Sequence, residues 1–368
     1  MAGWRPKPFL RLFWVKSFNR SRGHRMQFGI WTPLPHTTAP EPRITQAIQD
    51  LTTAGQSDGV DRSLQFAIDM VRKAEAHGFI TTLIAARHLG PDLEAWTLAT
   101  ALAMQTSTIE IMVAAHPGII PAQMVAKMGA SLDRISGGRL ALNVVNGWNV
   151  EEFDTFGNGA WQLTEADRYQ RMDEFIQVVK GLWTQESFSF AGRFYKVSDS
   201  NLPLKTVRQP NPPIYAASRN PEGKRTIAKY ADTWFAPDLR DFRRYDETLA
   251  LVRREIADLS QTAAGFGRKL GFGMSAHVVC AGTMEEAVAR AVRLEAYGDL
   301  ARYNKSAVSG LGACLVGTPQ LIAERICAYE QAGLDFILIQ SNPMEEGLDQ
   351  FLSDILPLVN ANKAKPKP

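Results

Sequence analysis

The sequence predicts an α/β fold, specifically a (β/α)8 TIM barrel with insertions. Three observations carry that expectation. Eight short apolar runs, of the kind that form strands buried on both faces, alternate with helical patterns along the chain. The rival fold, a doubly wound sheet, rarely sustains eight such units and usually shows a Gly-x-Gly-x-x-Gly turn, which is missing after the first run. Polar side chains then gather where the apolar runs end, as they do when a barrel builds a ligand site at the C-terminal ends of its strands.

Each element follows from a local pattern. Gln27–Trp31 is the first strand. Ser63–His77 places apolar residues at helical spacing and stops at Gly78, with His77 as a C-terminal cap. Phe79–Ala85 is a strand, Leu93–Met104 a helix and Ile109–Ala114 the third strand. The helix Pro121–Asp133 starts at a proline, which suits a first turn. Leu140–Val145 is entered through a Gly-Gly turn and forms strand four, followed by a helix over Arg168–Trp183. Residues 186–206 alternate like a small hairpin inserted before strand five, Pro213–Ala216. Then come helix Pro221–Tyr230, strand Asp232–Ala236, helix Phe242–Leu259, strand Leu270–Val279 and helix Met284–Tyr297. A loop at about 300–316 precedes helix Pro319–Ala332, strand Phe336–Gln340 and a last helix, Gly347–Leu358.

Composition narrows the function. At 368 residues, 45% apolar and 21% charged, the chain can bury the core of one large barrel or of two ordinary domains. No linker, repeat or low-complexity stretch divides residues 26–362, so they read as one domain. Residues 1–25 hold seven Lys or Arg and no acid, and read as a basic, disordered extension; residues 363–368 read as a tail. Subtracting those seven charges from the formal +3 leaves a body at −4, which argues against nucleic acid as a partner. No uninterrupted apolar run reaches the roughly 18 residues of a membrane span. The three cysteines form no CxxC pair, which suits a reducing compartment, the cytoplasm.

Several chemistries are excluded by their missing motifs. There is no HExxH or other paired ligand spacing for a metal, no Gly-x-Ser-x-Gly elbow and no phosphate-binding loop ending in Lys-Ser/Thr. What the strand ends offer instead is a rim of neutral donors, arginines and tryptophans. His36, Arg87, His88, His116, Asn143, Asn146, Trp148, Ser218, Arg219, Asn220, Trp234, His277 and Gln340 all fall there. Such a rim suits a large aromatic cofactor bearing a phosphate: apolar faces for the ring, amides for its edge, Arg, Tyr and Ser for the phosphate. Taken alone, His277 reads as a satisfied strand histidine and His36 equally as an exposed loop residue. Arg168, at a helix N-terminus where a cation opposes the helix dipole, calls for an anionic partner.

The run Leu132-Asp-Arg-Ile-Ser-Gly-Gly-Arg-Leu-Ala-Leu-Asn-Val-Val-Asn-Gly-Trp148 resembles the bacterial luciferase-like superfamily of flavin-dependent monooxygenases. So do Arg168-Tyr-x-x-x-x-Glu-Phe175, Leu182-Trp183 and Leu315-Val-Gly-Thr-Pro319, and the likeness extends from about Met26 to Leu358. Within that superfamily the chain is similar to the branch of alkanesulfonate, dimethylsulfone and pyrimidine monooxygenases. The resemblance implies a TIM barrel, in a homodimer or homotetramer, that uses reduced FMN delivered by a separate NAD(P)H-dependent flavin reductase. Oxygen would add to the flavin, giving a peroxyflavin that oxygenates a small molecule. It also implies flavin contacts at Ala86, Arg87, Asn143, Glu152, Arg168 and Tyr169, with a phosphate contact at Ser218 or Arg219. His277 and His36 are the implied catalytic groups, moving protons with pKa values near neutrality. The loop at 300–316, with Gly310 and Gly312, resembles the family's mobile lid.

Two departures shape the substrate expectation. Sulfonate-cleaving relatives carry arginines where this chain has Ser275 and Val308, which removes positive charge that an anionic sulfonate needs; Arg302 and Lys305 nearby could substitute. The relatives' Gly-Gly-Ser-Ser after strand five reads Ala216-Ala-Ser-Arg219 here. The expectation is therefore a small sulfone- or sulfonate-like organosulfur compound. Ring opening of a pyrimidine or amide heterocycle, and deazaflavin-dependent hydride transfer on the same fold, are the alternatives. A non-catalytic flavin-storage subunit should lack the rim histidines.

Overall fold

The computed structural model describes residues 26–35, 62–90, 92–147, 149–300, 305 and 308–364. His36, Trp148, Arg302 and the extension 1–25 lie outside the described residues. Eight parallel strands close into a barrel: β1 (Gln27–Trp31), β2 (Thr81–Ile84), β3 (Glu110–Ala115), β4 (Leu140–Val144), β7 (Ile214–Ala216), β8 (Thr233–Phe235), β9 (Gly271–His277) and β12 (Phe336–Gln340). Between β4 and β7 sits the antiparallel hairpin of β5 (Phe188–Ala191) and β6 (Lys196–Ser200), within the expected insertion.

Strand alternation sorts side chains into two layers. Outward-facing Ile30, Ile84, Val113, Leu142, Ala216, Phe272 and Ile339 join the helices in the main core. Inward-facing Leu83, Met112, Ala141, Tyr215, Phe336 and Leu338 fill the barrel itself. The fit is close: a Cβ on Gly273 would lie 2.1 Å from the Phe336 ring, so a glycine makes room for that plug. Below the plug, Glu110 accepts from Arg208 at 2.5 Å and from the Tyr215 hydroxyl at 2.9 Å. Such a charge is tolerable in the interior because it is paired and hydrogen-bonded.

The Ser136-Gly-Gly-Arg139 stretch is scaffold. Gly137 and Gly138 both have positive φ and end helix Ala122–Ser136, donating to Arg134 O and Asp133 O. Arg139 is buried and donates to the carbonyls of Ala103, Thr106, Ile109 and Ser136 and to Thr106 Oγ1. Asp133 caps the other side, taking Val207 N at 2.6 Å and Arg208 N at 2.9 Å.

Three differences from expectation have local causes. A short helix, Val150–Phe156, follows β4 because Asn149 accepts from Glu151 N and caps it. The helix expected from Arg168 starts at Glu165, capped by Thr164. The strand expected to run to Val279 leaves the barrel after His277; β10 (Val279–Cys280) pairs instead with β11 (Val316–Gly317). Among the described residues, no helix is long and apolar enough to cross a membrane.

Candidate active site at the barrel mouth

Above the Phe336 plug, the C-terminal ends of the strands hold polar side chains in an otherwise apolar shell. Asn143 is the inward residue at the top of β4, and its Oδ1 has no partner among the described residues. Asn146 Oδ1, in the loop that follows, is likewise orphaned. His277, at the top of β9, is fully buried, and neither ring nitrogen finds a partner among the described residues. Buried polar atoms are nearly always satisfied, so this concentration at one end of the barrel marks a place where a ligand completes the hydrogen bonding. Across the mouth, Trp31 Nε1 donates to Ser275 Oγ at 2.8 Å.

Burial alone pushes the His277 pKa down to about 3, so its ring is neutral at pH 7. This corrects the expectation of a histidine titrating near neutrality. A neutral ring offers one N–H and one lone pair at fixed positions, which suits hydrogen bonding more than proton storage.

The second wall comes from the β2, β3 and β4 exits. Arg87 Nε donates to Leu89 O at 2.6 Å and lies 3.3 Å from Glu152 Oε1. Glu152 is buried on the short helix and accepts from the amides of His88 (3.2 Å) and Leu89 (3.4 Å). Ala86 is buried beside them. His88 and His116 meet edge to face, ring centroids 5.5 Å apart. His116 Nδ1 and His88 Nε2 find no partner among the described residues, and burial lowers both pKa values, that of His116 to about 3.

A third group lies where helix Pro221–Tyr230 begins. Ser218 Oγ donates to Tyr169 Oη at 3.2 Å and accepts from Asn220 N at 3.1 Å. A Cβ on Gly223 would come within 2.3 Å of Ser218 Oγ and 2.5 Å of the Tyr169 ring, so the backbone here approaches both side chains as only glycine permits. Asn220 caps the helix, its side chain accepting from Glu222 N and its carbonyl from Lys224 N; Pro221 has no N–H, so Gly223 carries the one first-turn amide not used in these caps.

Not every expected residue joins these groups. Arg168 donates to Leu163 O at 2.8 Å and stacks 4.6 Å from the Trp161 ring centroid, so it fastens the preceding loop. Arg219 is half exposed and donates to Asp238 O at 2.6 Å. Trp234 turns outward under Lys224, giving its indole N–H to Ser218 O and so supporting Ser218 from behind. The described end of the anticipated lid is anchored: His277 N donates to Gly310 O, and Leu311, Gly312 and Ala313 are buried. The positions of the sulfonate relatives' arginines are uncharged, and Lys305 is exposed.

Sequence comparison places this geometry. Residues 26–335 match the luciferase-like monooxygenase family. The chain belongs to that family. An FMNH2-dependent dimethylsulfone monooxygenase of Pseudomonas putida is 30% identical to it over 343 residues, covering 82% of this chain and 90% of the relative. Among solved structures, a long-chain alkane monooxygenase superposes with a TM-score of 0.73 at 16% identity, covering 94% of this chain and 93% of that one. An F420-dependent secondary alcohol dehydrogenase superposes with a TM-score of 0.67 at 17% identity, covering 91% and 99%. The same fold thus occurs in proteins named for both kinds of chemistry, and the fold alone does not choose between them.

Sequence reasoning missed Trp31 and the buried Arg171, whose Nη1 donates to Ala160 O while Nε and Nη2 find no partner among the described residues. Trp31 had a signal, since it ends the first strand at the same level as the other rim residues. Arg171 had none, because its burial depends on Gly118 and Phe153 folding over it.

Proposed function

We propose that this chain is a reduced-FMN-dependent monooxygenase that oxygenates a small, uncharged organosulfur compound of the sulfone class. The observation that carries the reading is the set of neutral hydrogen-bonding atoms at the mouth without a partner among the described residues: Asn143 Oδ1, Asn146 Oδ1 and both His277 nitrogens. The relative named for dimethylsulfone supports the same substrate class. No arginine stands at Ser275 or Val308, where the sulfonate-cleaving relatives carry positive charge.

The residues fit the cofactor. Ser218, Tyr169 and the Gly223 amide at the start of helix Pro221–Tyr230 would hold the phosphate; the missing side chain of Gly223 leaves room for that approach. Asn143 would bond the polar edge of the ring system, with Ala86 against its face and the paired Arg87 and Glu152 beside it. Arg168 acts one step removed, fixing the loop that positions Tyr169. When bound, reduced FMN supplies the two electrons and the oxygen-activating centre.

The chain's own work is exclusion and orientation. The aromatic floor of Phe336, Tyr215 and Phe235 closes the barrel below the mouth, denying water a route to the reacting atoms. His277 presents a neutral N–H to a substrate oxygen while its other nitrogen can accept. His36 is proposed as its partner in proton movement. A separate flavin reductase is proposed as the source of reduced cofactor, in the cytoplasm.

The test is reconstitution with a flavin reductase, NADH and FMN, offering sulfones, alkanesulfonates, uracil and amide heterocycles under 18O2. The expected outcome is sulfone-dependent oxygen consumption, with label in the product. Hydride transfer from a reduced deazaflavin under anaerobic conditions, with no oxygenation, would establish the alternative.

A further inference from the structure

We infer that His88, His116 and Glu152 form a binding site for one redox-inert divalent transition metal ion of the zinc class. The three side chains come from three separate strand exits, after β2, β3 and β4, and their ligand atoms lie within 4.8 Å of one another. Two imidazoles and one carboxylate are the donor set of open, three-ligand zinc sites. His88 Nε2 and His116 Nδ1 are buried and find no partner among the described residues, which is costly unless something binds them.

The imidazole rings converge edge to face, with centroids 5.5 Å apart and planes inclined by 72°. Bonds of about 2.1 Å to a tetrahedral ion need ligand atoms roughly 3.4 Å apart. Separations of up to 4.8 Å therefore shorten by as much as about 1.4 Å when the ion binds. Glu152 is already oriented: the amides of His88 and Leu89 and the Arg87 guanidinium all address Oε1, leaving Oε2 for the ion. Hydrogen-bonded carboxylates of this kind are the usual supports of metal ligands. Three protein ligands leave at least one coordination position open for an oxygen or nitrogen donor of a small molecule. A redox-active ion beside a reduced flavin would drain its electrons, which selects for zinc chemistry over iron or copper.

The sequence could not show this trio, because spacings of 28 residues and 36 residues, read from positions 88, 116 and 152, match no local ligand motif. The choice of a redox-inert ion rests on the flavin reading, whereas the site itself is tested on flavin-free protein. Co2+, which reports its own coordination through visible d–d absorption, is titrated into the full chain and then displaced with Zn2+. The expected result is one Co2+ per chain, with affinity falling more than tenfold in His88→Gln and in His116→Gln and unchanged in His77→Gln, an exposed histidine outside the trio. Circular dichroism confirms that the variants fold; if either does not, Glu152→Gln supplies the same comparison. Absence of a saturable d–d spectrum, or a spectrum that survives in the folded trio variants, overturns the site and leaves reduced-FMN binding untouched.

Discussion

At the scale of single residues, the mouth depends on groups kept neutral by burial. His116 and His277 both have pKa values pushed down to about 3 by desolvation, against 6.5 for a free imidazole. The unfolded chain therefore binds protons that the folded chain refuses between about pH 6.5 and pH 3. By linkage, stability rises with pH through that window and falls as the solution is acidified. His277→Gln should flatten this slope, as measured by urea midpoints between pH 4 and pH 7; an unchanged slope would mean that His277 titrates normally. The catalytic expectation is separate. His277→Ala should leave reduced-FMN affinity within a few fold, lower substrate-dependent turnover by about a hundredfold, and divert oxygen to hydrogen peroxide. Unaltered coupling would remove His277 from the mechanism.

Elements show how one motif can serve two purposes. Leu132 to Trp148 was legible in the sequence as a functional signature, yet its first half is structural. Arg139 spends its guanidinium on four carbonyls and one hydroxyl between helix Ala95–Gln105 and β4. Arg139→Ala should cost roughly 3 kcal/mol, because it orphans several buried acceptors at once; a denaturation midpoint close to wild type would contradict this. Gly223 sets two effects against each other. Alanine gains about 1 kcal/mol in helix propensity, but its Cβ would press on Ser218 Oγ at 2.3 Å. The steric effect should win at the site: Gly223→Ala is expected to weaken reduced-FMN binding more than tenfold while the fold persists, as read by anaerobic titration.

For the molecule as a whole, the barrel was readable because strand periodicity, proline starts and glycine stops are local signals. All eight barrel strands lie where alternation places them, give or take two residues. The short β10–β11 pair was not readable, since two-residue strands at 279–280 and 316–317 leave no periodicity to detect. At the site, Asn143 and His277 could be placed at strand ends from the sequence, whereas the surroundings of Arg219 could not. Its guanidinium is held by Asp238, nineteen residues away, a tertiary pairing that no spacing announces. The closed barrel and its polar mouth make one claim together: reduced FMN binds above the Phe336 plug. Anaerobic calorimetric titration with reduced FMN tests it most directly. One saturable site per chain, lost in Asn143→Leu and weakened in Ser218→Ala, is the expected result. Absence of saturable heat from the folded wild-type protein would contradict the account.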